Sequence, residues 1–183
     1  MAKPIIAVDI DEVLMPHFDS LIAWYNEQYD TSLTGYDNHP TDPGNWGTDD
    51  VSVAIKRVHK FYETDEYKAS NELIVVTARD TIIEASTELW LEDHFQQIFS
   101  EIHFTNHFSL EGKRRDKSQV LKELGAEYFV DDSLENVFGA AELGIESILF
   151  GDFAWNQEEV LPSNVTRCKD WEAVRRYFNG IST

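Results

Sequence analysis

Basic residues, cysteine and long apolar runs are all scarce in this chain, and each shortage removes a class of function. Fifteen lysines and arginines stand against 34 aspartates and glutamates in 183 residues, a formal charge of −19. That balance argues against a nucleic-acid polymer or an anionic membrane surface as the main partner, because both call for clustered positive charge. A small phosphorylated molecule stays within reach, since one lysine or a local metal can hold a single phosphate. The lone cysteine, Cys168, permits no internal disulfide and no cysteine-based metal cluster. No apolar stretch approaches the ~20 residues that span a bilayer, and the opening MAKPIIAVDIDE has too short an apolar run for a signal peptide. The expectation is a soluble, cytoplasmic protein with one principal domain.

What the chain does have is a rhythm of short apolar runs and amphipathic segments. Ile5–Val8 (IIAV), Leu73–Val76 (LIVV), Tyr128–Val130 (YFV) and Ser147–Phe150 (SILF) read as central parallel strands covered on both faces, with Ile102–Thr105 (IHFT) a weaker fifth. Between them lie helical patterns. Thr81–Phe95 sets Ile82, Ala85, Leu89 and Trp90 near one stripe. KSQVLKELG follows Asp116 as N-cap and stops at Gly125 as C-cap. LENVFGAAELG repeats the pattern to Gly144, and Trp171–Phe178 closes the domain. The alternation predicts an α/β fold, a Rossmann-like doubly wound parallel sheet, with ligands beyond the carboxyl ends of its strands.

One segment departs from that rhythm. After Leu14 come a helical run (Phe18–Tyr29), a turn-rich aromatic stretch (Tyr36–Asp50) and another helix (Val51–Tyr62), with no convincing strand. An excursion placed directly after the first strand reads as a small helical cap over the site. The alternative is a peripheral helical pair. The division expected is a core of residues 1–15 and 70–183 and a cap of residues 16–69.

Three strands end in reactive polar residues: Asp9 with Asp11, Thr77 in VVTARD, and Asp131 with Asp132 in VDDSLENV. Parallel strands bring such ends to one edge, so these side chains should converge. Clustered carboxylates repel and resist desolvation, and a cation is the simplest compensation; with oxygen ligands alone, Mg²⁺ is the natural choice. Lys117 opens a helix before the third of these strands and supplies further positive charge, with Lys113, Arg114 and Arg115 as neighbouring competitors. The set suits a phosphate. Thr77 could instead satisfy a strand-end backbone group, and Arg79 either binds substrate or pairs with Asp80.

These motifs, in this order, resemble those of the haloacid dehalogenase-like superfamily of phosphohydrolases. DIDEV (Asp9–Val13) is similar to the family's first motif, Thr77 after LIVV to the second, Lys117 to the third and VDD ending at Asp132 to the fourth. The helical insert looks like a C1-type cap, and ILFGDFAWN with Asp170–Trp171 looks like the 5'(3')-deoxyribonucleotidase-like branch. The resemblance implies that Asp9 is the nucleophile and that Asp11 protonates the leaving oxygen, then activates water. It implies phosphoryl binding by Thr77 and the amide of Ala78, and charge neutralisation by Lys117. Mg²⁺ would be held by Asp9, the carbonyl of Asp11 and Asp132, with Asp131 sharing that role or orienting the metal's waters.

Within such a family, Asp11 argues for phosphoester hydrolysis over dehalogenation, because a halide needs no proton. A phosphonatase would want a cap lysine; Pro16–Gly47 contains none, though Lys56, Lys60 and Lys68 lie beyond it. A mutase or a phosphosugar phosphatase uses the same two aspartates, and a non-catalytic binding protein on this fold is the alternative of a different class. Aromatic residues of the cap, Phe18 and Trp46 foremost, suit stacking on a base, so a small (deoxy)nucleoside monophosphate is the expected substrate. Trp24 and Tyr25 fit packing of cap on core, and Trp46 equally fits a homodimer interface. One departure stands out: KFYETDEYKASNELIVV runs into the second-motif strand without the Pro-Gly-Ala turn and helix usual in that branch.

Overall fold

The computed structural model describes residues 4–13, 18–34, 53, 76–94, 99–107, 109, 113–158 and 160–181. Four parallel strands form the main sheet in the order β1 (Ile6–Val8), β4 (Tyr128–Asp131), β5 (Glu146–Phe150) and β6 (Val165–Cys168). A two-stranded parallel ladder pairs β2 (Val76–Thr77) with β3 (His103–Phe104). Helix α1 (Phe18–Tyr29) follows β1, and α2 (Glu84–His94) follows β2 through a short 3₁₀ turn at Thr81–Ile83. Helices α3 (Lys117–Leu124) and α4 (Leu134–Glu142) flank β4, and α5 (Trp171–Ile181) ends the fold.

Continuous apolar strands are explained by burial on both faces. Ala7 and Phe129 join Val120 and Leu121 of α3 and Ala140 of α4 in one cluster. The next residue along each strand, Val8 and Val130, joins Ile148 and Phe150 with Val174 of α5 in another. Alternate side chains of β1 and β4 thus face opposite helical layers, the doubly wound arrangement expected of the sequence. Val76 belongs to the first cluster, so β2 shares the core reached by β1. No helix among the described residues is long and apolar enough to cross a membrane.

The limits of α3 are set by chemistry local to the sequence. Asp116, extended at φ −78 and ψ 131, accepts a hydrogen bond from the Gln119 N–H, and Gly125 ends the helix in the left-handed region at φ 68. This cap matters because it fixes the first turn, where Lys117 points inward.

Two expectations need correction. The predicted stripe on α2 is rotated: Ile82 and Leu89 are each 64% exposed, whereas Ile83, Thr87 and Leu91 are buried. Asp80 caps the 3₁₀ turn by accepting from the Ile82 N–H, and three residues per turn there shift the phase of the helix that follows. At the start of β1, Ile5 and Ile6 are 47% and 41% exposed, so burial begins only at Ala7. The strand Ile102–Thr105, weak in sequence, is present as β3 and makes the expected parallel pair. Trp46, the helix Val51–Tyr62 and most of LIVV lie outside the described residues.

Candidate active site

The sheet delivers acids to one edge by register alone. β1 pairs with β4 so that Val8 lies beside Val130, and the Asp9 N–H continues the ladder by donating to the Val130 carbonyl at 2.9 Å. Asp9 and Asp131 therefore emerge side by side. Both are buried, at 5% and 0% exposure. Between them sits the Lys117 ammonium, 2.7 Å from Oδ2 of Asp9 and 2.7 Å from Oδ2 of Asp131. Of the four candidate cations in that stretch, Lys117 is the one that reaches the acids.

Asp131 is held on every side. Its Oδ1 accepts the Ser133 N–H at 2.8 Å, and Asn136 Nδ2 lies 3.1 Å from both carboxylate oxygens. Asp132 is held differently: its Oδ2 accepts the Trp155 indole N–H at 2.7 Å. One carboxylate oxygen each from Asp9, Asp131 and Asp132 lie within 4.8 Å of one another. An all-oxygen donor set of this charge and spacing fits a hard divalent cation. Because Asp131 is already saturated by Lys117, Ser133 and Asn136, Asp132 and Asp9 are the better placed to ligate.

Electrostatics agree with a site built to receive positive charge. Burial, then the neighbouring charges of Asp131 and Asp11, push the Asp9 carboxyl up to about 7 against the pull of Lys117. Asp132 is likewise raised well above the carboxylate range, by burial first and then by Asp131 and Asp9. Burial works against a charged Lys117, but Asp131 and Asp9 outweigh it and hold the ammonium above its usual value. The lysine keeps its proton, and Asp9 and Asp132 are the members that give up charge.

A second ion pair stands beside the first. Arg79, 3% exposed, places NH2 2.7 Å from Asp11 Oδ1 and Nε 3.2 Å from both Asp11 oxygens, while NH1 donates to Thr87 Oγ1 at 3.2 Å. The fork geometry suits a carboxylate. Directly after Asp11 the backbone turns through Glu12 at φ 63, and the Glu12 carboxylate accepts the Phe18 N–H at 2.5 Å, at the start of α1. Thr77, fully buried at the end of β2, accepts the Arg79 N–H through its hydroxyl at 3.2 Å. Ala78 follows, half-buried. Phe18 is buried against Ile10, Leu21, Ile22 and Tyr25, with its ring centroid 5.3 Å from that of Trp155.

Four residues of this constellation, Thr87, Asn136, Trp155 and Asn156, take no site role from the sequence, although Trp155 and Asn156 belong to the ILFGDFAWN stretch that carries part of the resemblance. Asn136 sits in the first turn of α4, five positions past Asp131, where an amide can reach back to the strand end. Asn156 is fully buried, with Nδ2 donating to the Asp132 carbonyl at 3.1 Å and the Phe150 carbonyl at 2.9 Å.

Solved structures of low sequence identity share this parallel α/β fold. A haloacid dehalogenase-like family hydrolase from Streptococcus pneumoniae superimposes with a TM-score of 0.60 at 17% identity, covering 96% of this chain and 98% of that one. A Clostridium difficile protein named "Putative Phosphatase" gives 0.63 at 16% identity, covering 96% and 99%. In sequence, a Halalkalibacterium halodurans protein named "Putative nucleotidase" is 28% identical over 115 residues, 63% of this chain. That match spans about half, 54%, of the relative's own length. No protein-family model matches the chain.

Proposed function

We propose that the protein is a Mg²⁺-dependent phosphomonoester hydrolase working through an aspartyl-phosphate on Asp9. The observation that carries this reading is the Lys117 ammonium bridging Asp9 and Asp131 beside Asp132. Asp9, the Asp11 carbonyl and Asp132 would hold the metal. Bound there, Mg²⁺ would offset the acids' mutual repulsion and draw charge from the phosphoryl oxygens.

The chain's own groups supply the remaining roles. An Asp9 oxygen attacks phosphorus as the ester P–O bond breaks, and Asp11 gives a proton to the departing oxygen. Asp11 then takes a proton from water, whose oxygen attacks phosphorus and releases Asp9 and inorganic phosphate. Lys117 offsets the charge of nucleophile and phosphate, while the Thr77 hydroxyl and the Ala78 amide bind phosphoryl oxygens. Arg79 holds the Asp11 carboxylate through its two-pronged ion pair. Residues 16–69, rich in aromatic side chains, are the stretch that selects substrate. A (deoxy)nucleoside monophosphate is the substrate class this reading favours, supported by the name of the H. halodurans relative and the aromatic content of the cap.

The test is release of phosphate from an aryl phosphate, lost on chelation and restored by Mg²⁺. Asp11→Asn is expected to lower turnover by ~10²–10⁴-fold, the usual worth of a general acid–base. A folded protein that hydrolyses nothing across a broad phosphate panel would sink the enzyme reading. A panel of 5'- and 3'-nucleotides and sugar phosphates, ranked by kcat/KM, decides the substrate: a flat profile removes the nucleotide.

A further inference from the structure

The stretch GDFAWN, between β5 and β6, has no part in the reaction described above, yet it is built with care. Asn156 is its anchor. Besides gripping the carbonyls of Asp132 and Phe150, its Oδ1 accepts the Phe153 N–H at 3.1 Å and an Arg167 N–H at 3.1 Å. The Phe153 ring stacks on the Trp155 indole, centroids 4.7 Å apart and 5° from parallel. From the other side Phe18 of α1 meets the indole edge-on. These contacts fix a half-buried indole in one orientation, and that orientation puts its N–H 2.7 Å from Asp132 Oδ2.

We propose that Trp155 is a positioning residue for the metal: its indole N–H fixes the Asp132 carboxylate so that Oδ1 faces the cation. The inference rests on the Mg²⁺ site proposed above. An ionised carboxylate beside two other acids would otherwise rotate to lessen repulsion, and a rigid donor on one oxygen removes that freedom. The indole suits the task because it donates without accepting and cannot itself compete for the metal. Outer hydrogen bonds to metal ligands commonly govern affinity by 10–100-fold. Because Phe18 braces the same ring, α1 is in contact with the device that sets metal affinity.

Calorimetric titration of the full chain with MgCl₂ tests this. Trp155→Phe, which keeps an aromatic face and removes the donor, is expected to weaken Mg²⁺ binding by ~10–100-fold. Phe153→Leu loosens the packing that orients the ring but leaves the donor, and is expected to weaken binding less than Trp155→Phe does. Equal weakening in both variants, or unchanged affinity in W155F, would overturn the proposal. A second readout needs no variant: the Trp155 Nε1–H proton resonance should move with Mg²⁺ along the calorimetric isotherm, and a resonance indifferent to saturating Mg²⁺ counts against it. The two readings separate cleanly. Weakened binding in W155F of a protein without phosphatase activity supports the positioning role and ends the enzyme reading; normal turnover with unchanged W155F affinity does the reverse.

Discussion

Replacing Asp9 with asparagine should abolish phosphate release, by ~10⁴-fold or more since the attacking group is lost, while making the metal-free protein more stable. The second half follows from the Asp9 carboxyl being pushed up to about 7. Between the ordinary aspartate value near 4 and about 7, the folded state binds more protons than the unfolded one. Stability of the metal-free protein therefore falls as pH rises through that window. Asparagine carries no charge to desolvate, so the fall should flatten and the melting midpoint above pH 7 should rise. Lys117 keeps Asp131 as a partner, so the variant strands no buried cation. Added Mg²⁺ should stabilise the parent more than D9N. Thermal melts from pH 4.5 to 8, with and without EDTA, read all of this; a D9N protein that melts below the parent at pH 8 without metal contradicts it.

Lys117→Met is expected to do the opposite to stability. Removing the ammonium leaves Asp9 and the fully buried Asp131 facing each other without compensation. Breaking a buried pair by deleting one partner costs about 3–5 kcal/mol, which in a chain of this size lowers the melting midpoint by on the order of 10 °C. The deficit should shrink at pH 5, where the Asp9 carboxyl takes up a proton, and with Mg²⁺, which substitutes positive charge. Lys117 itself, held above its usual value, gives a stabilisation that persists through neutral pH and fades only in strong alkali. Turnover should fall by ~10²–10³-fold, as for loss of one preorganised electrostatic contact. A K117M protein as stable as the parent at pH 8 without metal would show that the bridge carries little.

Much of this was legible because it is written in strand ends. Asp9 and Asp131 follow apolar runs directly, and a parallel register leaves their side chains little choice of neighbour. Lys117 could be singled out from Lys113, Arg114 and Arg115 because Asp116 caps the helix and so fixes which residue of the first turn faces inward. Other features depend on contacts that hydropathy does not encode. Thr87, on the buried side of α2, meets Arg79, a polar pairing that an apolar pattern does not mark. Arg79, which in sequence reads either as a substrate contact or as a partner of Asp80, reaches Asp11, 68 residues earlier in the chain. Trp155 stands in the ILFGDFAWN stretch that carries part of the resemblance, but its hydrogen bond to Asp132 leaves no periodic trace.

The strand order has a consequence for assembly. β4, β5 and β6 follow one another closely in sequence and pair in that order, whereas β1 joins them by matching Ile6 with Tyr128. Closing so long a loop is the entropically expensive pairing of the sheet. Asp9 and Asp11 thus reach Asp131 and Asp132 only when the N-terminal strand docks. Until then the charges that oppose one another in the finished molecule are far apart, and a chain with β1 undocked is spared the repulsion that its chemistry requires.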